Sequence, residues 1–258
     1  MCVAGATDLM AGGWDPAGSY LDLSALAALA GIRETEAGIE IGALVTCAAL
    51  SRHAVIRARL PLLAQSAAAT GSWAIQNRAT LGGNVMNASP AADNPPVLLA
   101  YGAQVRLASE RGLRSLPYEE FHTGYKTTAC AADEIVHSFL VPVPDAGSHQ
   151  YFRKVGTRRA QAISKVTLAL AGQAGREGLC VRIGLASVGP MPVLARTAAA
   201  VLRAGRTAAC TRERLQEALR ADIAPQDDIR STRLYRDRVA FNLLKEALCG
   251  FPTWSDAF

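Results

Sequence analysis

Residues 79–96 read A-T-L-G-G-N-V-M-N-A-S-P-A-A-D-N-P-P, a dense run of short polar side chains beside two adjacent glycines. Gly82 and Gly83 free the backbone to take positive φ and to approach a ligand with no Cβ in the way. Thr80, Asn84, Asn87, Ser89 and Asp93 set donors and acceptors next to that backbone. An ordinary turn needs one Gly or Asn. The density therefore points to a backbone cradle for an anionic or heavily hydrogen-bonding ligand, the alternative being a polar loop between two elements. A second segment of this kind, V-A-G-A-T-D-L-M, covers residues 3–10. A short apolar strand is followed there by Gly5 and then by Thr7 and Asp8. Successive amides around such a turn form an anion nest, to which Thr7 adds a hydroxyl. Strand-Gly-Thr/Asp also occurs in many plain loops. Neither segment is a dinucleotide fingerprint, because no G-x-G-x-x-G opens a helix after a strand, and no G-x-x-x-x-G-K-[ST] occurs.

The elements that must position these segments are short. Residues 19–23 read as a strand leading into an Ala/Leu-rich helical turn, and residues 38–41 as a strand ending at Gly42. Thr46 is the expected N-cap of a helix over residues 47–53. Residues 59–72 suit one helix, with Leu60, Leu63 and Ala67 on one face. Pro95 and Pro96 open a helical turn through Ala100. Residues 104–108 and 112–116 alternate as an antiparallel pair. Residues 141–147, V-P-V-P-D-A-G, are the expected linker. Beyond them, residues 151–155, 169–175 and 179–187 read as strands, with a hairpin turn at 175–178. Residues 211–220 and 232–248 read as helices. The chain is thus expected to be α+β, with one domain over residues 1–145 and a small antiparallel sheet-plus-helices domain over residues 150–250.

Composition narrows the classes. At 258 residues and 50% apolar, the chain has enough material for a real core. Aromatics at 6% are too scarce for a base-stacking surface, and the net charge of +5 is mild, so no nucleic-acid role is expected. Basic residues concentrate at 153–159 and 203–238, where a solvated or partner-facing surface is the default. The six cysteines are scattered with no C-x-x-C or cluster spacing, which suits buried free thiols in a reducing, cytoplasmic setting. The four histidines show no metal-ligand pairing. Met1 is not followed by a basic and then an apolar leader region, and no apolar run reaches the ~18 residues a membrane span needs, so no membrane association is expected.

The two glycine segments, in this order, resemble those of the flavin-binding medium subunit of the molybdenum hydroxylases. That family includes the FAD subunits of xanthine dehydrogenase, carbon monoxide dehydrogenase and related aldehyde or N-heterocycle dehydrogenases. The likeness continues through F-H-T-G-Y-K-T-T (121–128), D-E-I-V (133–136), F-R-K-V-G-T-R-R-A-Q-A-I-S-K-V (152–166) and D-D-I-R-S-T-R-L-Y-R (227–236), covering nearly the whole chain. Family members carry a strand and helix ahead of the first glycine motif. Here Met1 stands almost on that motif, so this strand and helix are expected to be missing from the flavin domain.

The resemblance implies roles by position. Val3, Ala4, Gly5, Ala6, Thr7 and Asp8 match the motif that wraps the FAD diphosphate. Ala6 stands where many relatives have a second glycine and is expected to keep a negative φ. Ala79, Thr80, Gly82, Gly83, Asn84, Ser89 and Asp93 match contacts to the flavin's polar groups and the ribityl and adenosine portions. Ile135 and Val136 match apolar positions against the flavin ring, their alternative being plain strand core. Lys154 matches a lysine near the ring edge, where a cation stabilises anionic reduced flavin; its alternative is a surface lysine. Tyr125 and Lys126 either approach the ring or end a helix. No catalytic nucleophile, base or metal ligand is implied. The implied partners are a molybdopterin-containing large subunit and a small iron–sulfur subunit with two clusters, with electrons leaving FAD for NAD+ or another acceptor. Two other readings are a flavin-free docking subunit and a stand-alone flavin oxidoreductase. The second would show an acid–base residue near the ring, and none stands out.

Overall fold

The computed structural model describes residues 1–205, 211–252 and 254. Cys2–Val3 (β1) pairs in parallel with Leu21–Asp22 (β2), and the short helix Thr7–Gly12 (α1) lies between them. The strand expected over residues 19–23 is thus shorter, and the helical turn after it is a 3-10 turn at Ala27–Leu29. Next come Ile32–Thr35 (β3), Gly38–Gly42 (β4), Gln104–Ser109 (β5) and Gly112–Pro117 (β6). His122–Gly124 (β7) and Thr127–Thr128 (β8) form a small hairpin, and Ile135–Val141 (β9) follows. Five of these build one antiparallel sheet in the order β3-β4-β9-β5-β6.

Between β4 and β5 the chain packs six helices: Cys47–Arg52 (α2), Ala54–Arg59 (α3), Pro61–Ala69 (α4), Trp73–Gln76 (α5), Leu81–Met86 (α6) and Pro95–Tyr101 (α7). Thr46 caps α2 as expected, its Oγ1 accepting from the Ala49 amide at 3.1 Å. The single helix expected over 59–72 is broken at Leu60. Pro61 lacks an amide proton and disfavours helical backbone at the residue before it, so α3 ends at Arg59 and Pro61 opens α4.

The glycine-rich segment departs further from expectation. Its first part is helical, and neither Gly82 nor Gly83 takes positive φ. Thr80 Oγ1 accepts from the Gly83 amide at 3.0 Å and caps the helix. Gly82 lies so close to Ala43 that an added Cβ would fall 2.7 Å from the Ala43 methyl.

His149–Val155 (β10), Val166–Ala174 (β11), Leu179–Ala186 (β12) and Val193–Leu194 (β13) form a second antiparallel sheet in that order. Arg196–Arg203 (α8), Arg212–Asp222 (α9) and Arg233–Leu248 (α10) complete the described elements, with Thr211 and Thr232 as N-caps of the last two. Alternation along β11 makes it a wall between two cores. Val166, Leu168 and Leu170 enter a core with α8, α9 and α10, while Ala169 and Ala171 enter the core of the first sheet and its helices. The layers meet tightly: a Cβ on Gly184 of β12 would fall 2.0 Å from the Pro96 carbonyl oxygen of α7. The start of the expected linker, Val141, is fully buried at the end of β9.

Of the described cysteines, Cys47 is buried and Cys130 half-buried, but Cys2, Cys180 and Cys249 are exposed, so the expectation of uniformly buried thiols is corrected. Cys210 lies outside the described residues. No helix among the described residues is long and apolar enough to cross a membrane.

Candidate functional site

The two glycine segments come together in space. Gly5 is pressed against the second segment, where a Cβ would lie 2.0 Å from the Arg78 carbonyl oxygen and 3.2 Å from Ala79 Cα. Only glycine permits that approach. Just beyond it, Ala6 turns the chain into α1 with φ 57° and ψ 14°, and its carbonyl accepts from the Met10 amide at 2.9 Å. The negative φ expected for Ala6 is therefore corrected: it is left-handed despite its methyl, at a cost of roughly 1–2 kcal/mol.

Their donors are used differently. The amides of Leu81, Gly82, Gly83 and Asn84 are all spent inside the fold, on Val45 O, Ala43 O, Thr80 Oγ1 and Thr80 O. The amides of Ala4, Gly5, Ala6 and Thr7 have no acceptor among the described residues. The first loop is thus the donor loop, and the second supplies a wall. This reverses the weight that the sequence suggests, since the second segment carries more glycine and more polar side chains.

Between them lies a cavity of about 540 Å³. Val3, Ala4, Gly5, Ala6, Thr7 and Asp8 line one side, and Ala79, Thr80, Gly83 and Asn84 line the other. A Cβ on Gly83 would meet only Thr80 Oγ1, at 3.0 Å, so this glycine leaves its side of the cavity open. The remaining residues matched by the resemblance lie off this wall. Gly82 is turned toward Ala43, and Ser89 Oγ accepts from the Ala91 amide at 3.3 Å. Ile135 is half-buried opposite Ala108, and Val136 is buried opposite Leu107.

Behind the wall runs a buried polar network. Asn94, fully buried, donates to Asn84 Oδ1 at 3.0 Å and to Thr70 Oγ1 at 3.4 Å, and accepts from Ser66 Oγ at 2.8 Å. Asn84 and Thr70 both reach the cavity, so the network fixes that surface from behind. Next to it, Lys154 Nζ donates to Asp93 Oδ2 at 2.6 Å and to the Ala69 carbonyl at 2.9 Å. Lys154 is therefore a buried ion-pair partner and not a surface lysine, its side chain being 12% exposed. Burial pushes the Asp93 carboxyl up to about 6, against the opposing pull of Lys154. Asp93 Oδ1 is buried and has no partner among the described residues. Cys47 is sealed beside Asn94 and Thr70, and burial pushes its thiol up to about 11, which keeps it inert.

The cavity also recruits Thr70, Ile75, Met86 and Asn87, and Lys126 of the β7–β8 turn. Lys126 has φ 56°, and its Nζ donates to Asn87 O at 2.8 Å and Asn87 Oδ1 at 2.9 Å. Tyr125, its neighbour, instead lines a separate cavity of about 350 Å³ beside Arg230 and Arg236. Neither residue ends a helix. In the 227–236 motif, burial raises the Asp228 carboxyl, but the amides of Arg230 and Ser231 and two guanidinium groups outweigh it and hold it at about 2. Arg236 is buried and donates to Asp228 Oδ1 at 2.6 Å, Ser187 O at 2.8 Å and Lys165 O at 2.9 Å. That motif locks α10 to the one end of the second sheet where β11 begins and β12 finishes.

Residues 1–144 match the family described as FAD binding domain in molybdopterin dehydrogenase, and residues 150–249 match the CO dehydrogenase flavoprotein C-terminal domain. The carbon monoxide dehydrogenase medium chain of Afipia carboxidovorans is 30% identical over 235 residues, covering 88% of this chain and 79% of that protein. The nicotinate dehydrogenase FAD-subunit of Eubacterium barkeri is 33% identical over 184 residues, 69% of this chain, and the match spans 62% of that protein's length. Among solved structures, carbon monoxide dehydrogenase from Hydrogenophaga pseudoflava superposes with a TM-score of 0.89 at 25% identity, covering all of this chain and 90% of the other. With more than half its length in the first of these families, the chain belongs to the FAD-binding medium subunits of the molybdenum hydroxylases, the flavoprotein subunits of oxidoreductases of the xanthine dehydrogenase and carbon monoxide dehydrogenase type.

Proposed function

We propose that this subunit is the electron outlet of a molybdenum hydroxylase, taking electrons from the two clusters of a small iron–sulfur subunit, themselves reduced by a molybdopterin-containing large subunit, and delivering them through FAD to NAD+ or another acceptor. The relatives' names, a medium chain and an FAD-subunit, support an assembly of this kind. Residues 1–145 carry the cofactor, and residues 150–250 form the domain that backs it.

The residues present fit FAD. Unspent amides at Ala4, Gly5, Ala6 and Thr7, with the Thr7 hydroxyl, suit a diphosphate. Ala79, Thr80, Gly83 and Asn84 offer a close, polar wall for the ribityl and adenosine portions. Lys154, with Ile135 and Val136 on β9, is assigned to the ring, and Asp93, ion-paired to Lys154, to the flavin's polar groups. When bound, FAD supplies the redox chemistry, and the protein binds it and sets its environment. Lys154 holds a positive charge at a buried position, and Asp93 balances it.

One observation carries this reading: four consecutive amides without acceptors, opposite a glycine with room in front of it. The absorbance spectrum of the purified chain, before and after incubation with FAD, tests it. Bound oxidised-flavin bands are expected in the wild type and not in Gly83→Val. A folded wild-type chain that takes up no FAD would overturn the assignment.

A further inference from the structure

We propose that Lys126 is a cofactor-binding residue, the cation that answers the negative charge of the FAD diphosphate; this rests on the reading that the 540 Å³ cavity holds FAD. A diphosphate carries two negative charges. The first loop meets it with neutral amides and a hydroxyl, and Asp8 adds a carboxylate to the same wall. Lys126 is the one cationic side chain lining that cavity among the described residues. Its ammonium spends two of its three N–H groups on the carbonyl and side-chain oxygens of Asn87, both at hydrogen-bond distance. One donor is left.

The fold holds this residue in place. Lys126 sits in the two-residue turn between β7 and β8, with its backbone left-handed at φ 56°. Asn87, its anchor, is the C-cap of α6, whose glycine face forms the opposite wall. A purely structural lysine would do no more than pin that turn to the end of α6. The two roles differ in salt dependence. An ammonium facing phosphate contributes a charge–charge term that salt screens, whereas the loss of a pin weakens binding equally at every ionic strength.

Titration of the full chain with FAD at low and at high salt, followed by flavin fluorescence, separates them. Wild type is expected to weaken about ten-fold between the two conditions, within the range of charge-assisted contacts. Lys126→Met is expected to bind about ten-fold more weakly at low salt and to show little further salt effect, and Lys126→Arg to keep the wild-type affinity and salt response. A Lys126→Met chain that keeps the wild-type affinity, or loses affinity while keeping the full salt dependence, overturns the proposal. A wild-type chain that binds no FAD at either salt overturns the cofactor reading itself, a result distinct from the other two.

Discussion

Gly82 and Gly83 are neighbours in sequence and answer to different constraints. Gly82 is held against the Ala43 backbone and methyl, and Gly83 opens onto the 540 Å³ cavity with only Thr80 Oγ1 near its missing Cβ. Gly82→Ala should therefore cost about 1–3 kcal/mol through overpacking, read as a lower urea midpoint. Gly83→Val should keep a midpoint close to wild type and fail to retain FAD. If both variants lost stability alike, the division of roles between the two glycines would be wrong. Ala6 offers the opposite case, a methyl where the backbone is left-handed. Ala6→Gly removes that strain and should stabilise the chain by about 0.5–1 kcal/mol, the gain being limited by the freer unfolded chain. A midpoint unchanged or lowered in Ala6→Gly would show that the turn carries no strain.

At the scale of elements, what could be read from sequence was local. Thr46 announces α2 because an N-cap needs only a hydroxyl and the next three amides, and the structure shows Thr211 and Thr232 capping α9 and α10 in the same way. The hairpin of β5 and β6 follows from period-two alternation and a short connection. The α6 helix was not legible, since two glycines argue against helix by propensity. Its stability comes from outside the segment, through the Val45 and Ala43 carbonyls that take its first amides. Lys126 reads from sequence only as near the ring or at a helix end, because its partner Asn87 lies 39 residues away. The resemblance identified both loops of the cradle, but which loop has amides to spare is a property of the folded backbone. Because α6 depends on its cap, Thr80→Ala should cost about 1 kcal/mol of stability. It should also weaken FAD retention, with Thr80→Ser close to wild type in both. Loss of FAD in Thr80→Ala at unchanged stability would instead make the hydroxyl a direct ligand.

Across the whole molecule, the second sheet is the back wall of the cofactor domain and not a separate appendage. Its strands pack on α7, every residue of which is buried, and Tyr101 Oη donates to Gln150 Oε1 at 2.7 Å across the boundary. The Lys154–Asp93 pair spans the same boundary, from β10 to the loop before α7. Its energetics set a pH dependence. The Asp93 carboxyl is pushed up to about 6, from the 3.8 of a free aspartate, because burial outweighs the pull of Lys154. Between those two values the folded chain holds a proton that the unfolded chain has released. Asp93's contribution is thus fully present below pH 3.8 and is lost as pH rises through 6. Asn cannot ionise, so the stability of wild type relative to Asp93→Asn should fall by on the order of 3 kcal/mol across that window and stay level above it. Urea unfolding of both proteins without cofactor, at steps through that window, measures the difference directly. A wild-type advantage that grows with pH would mean that Lys154 keeps the carboxylate ionised throughout, and that the two sheets' layers are joined by a fully charged pair.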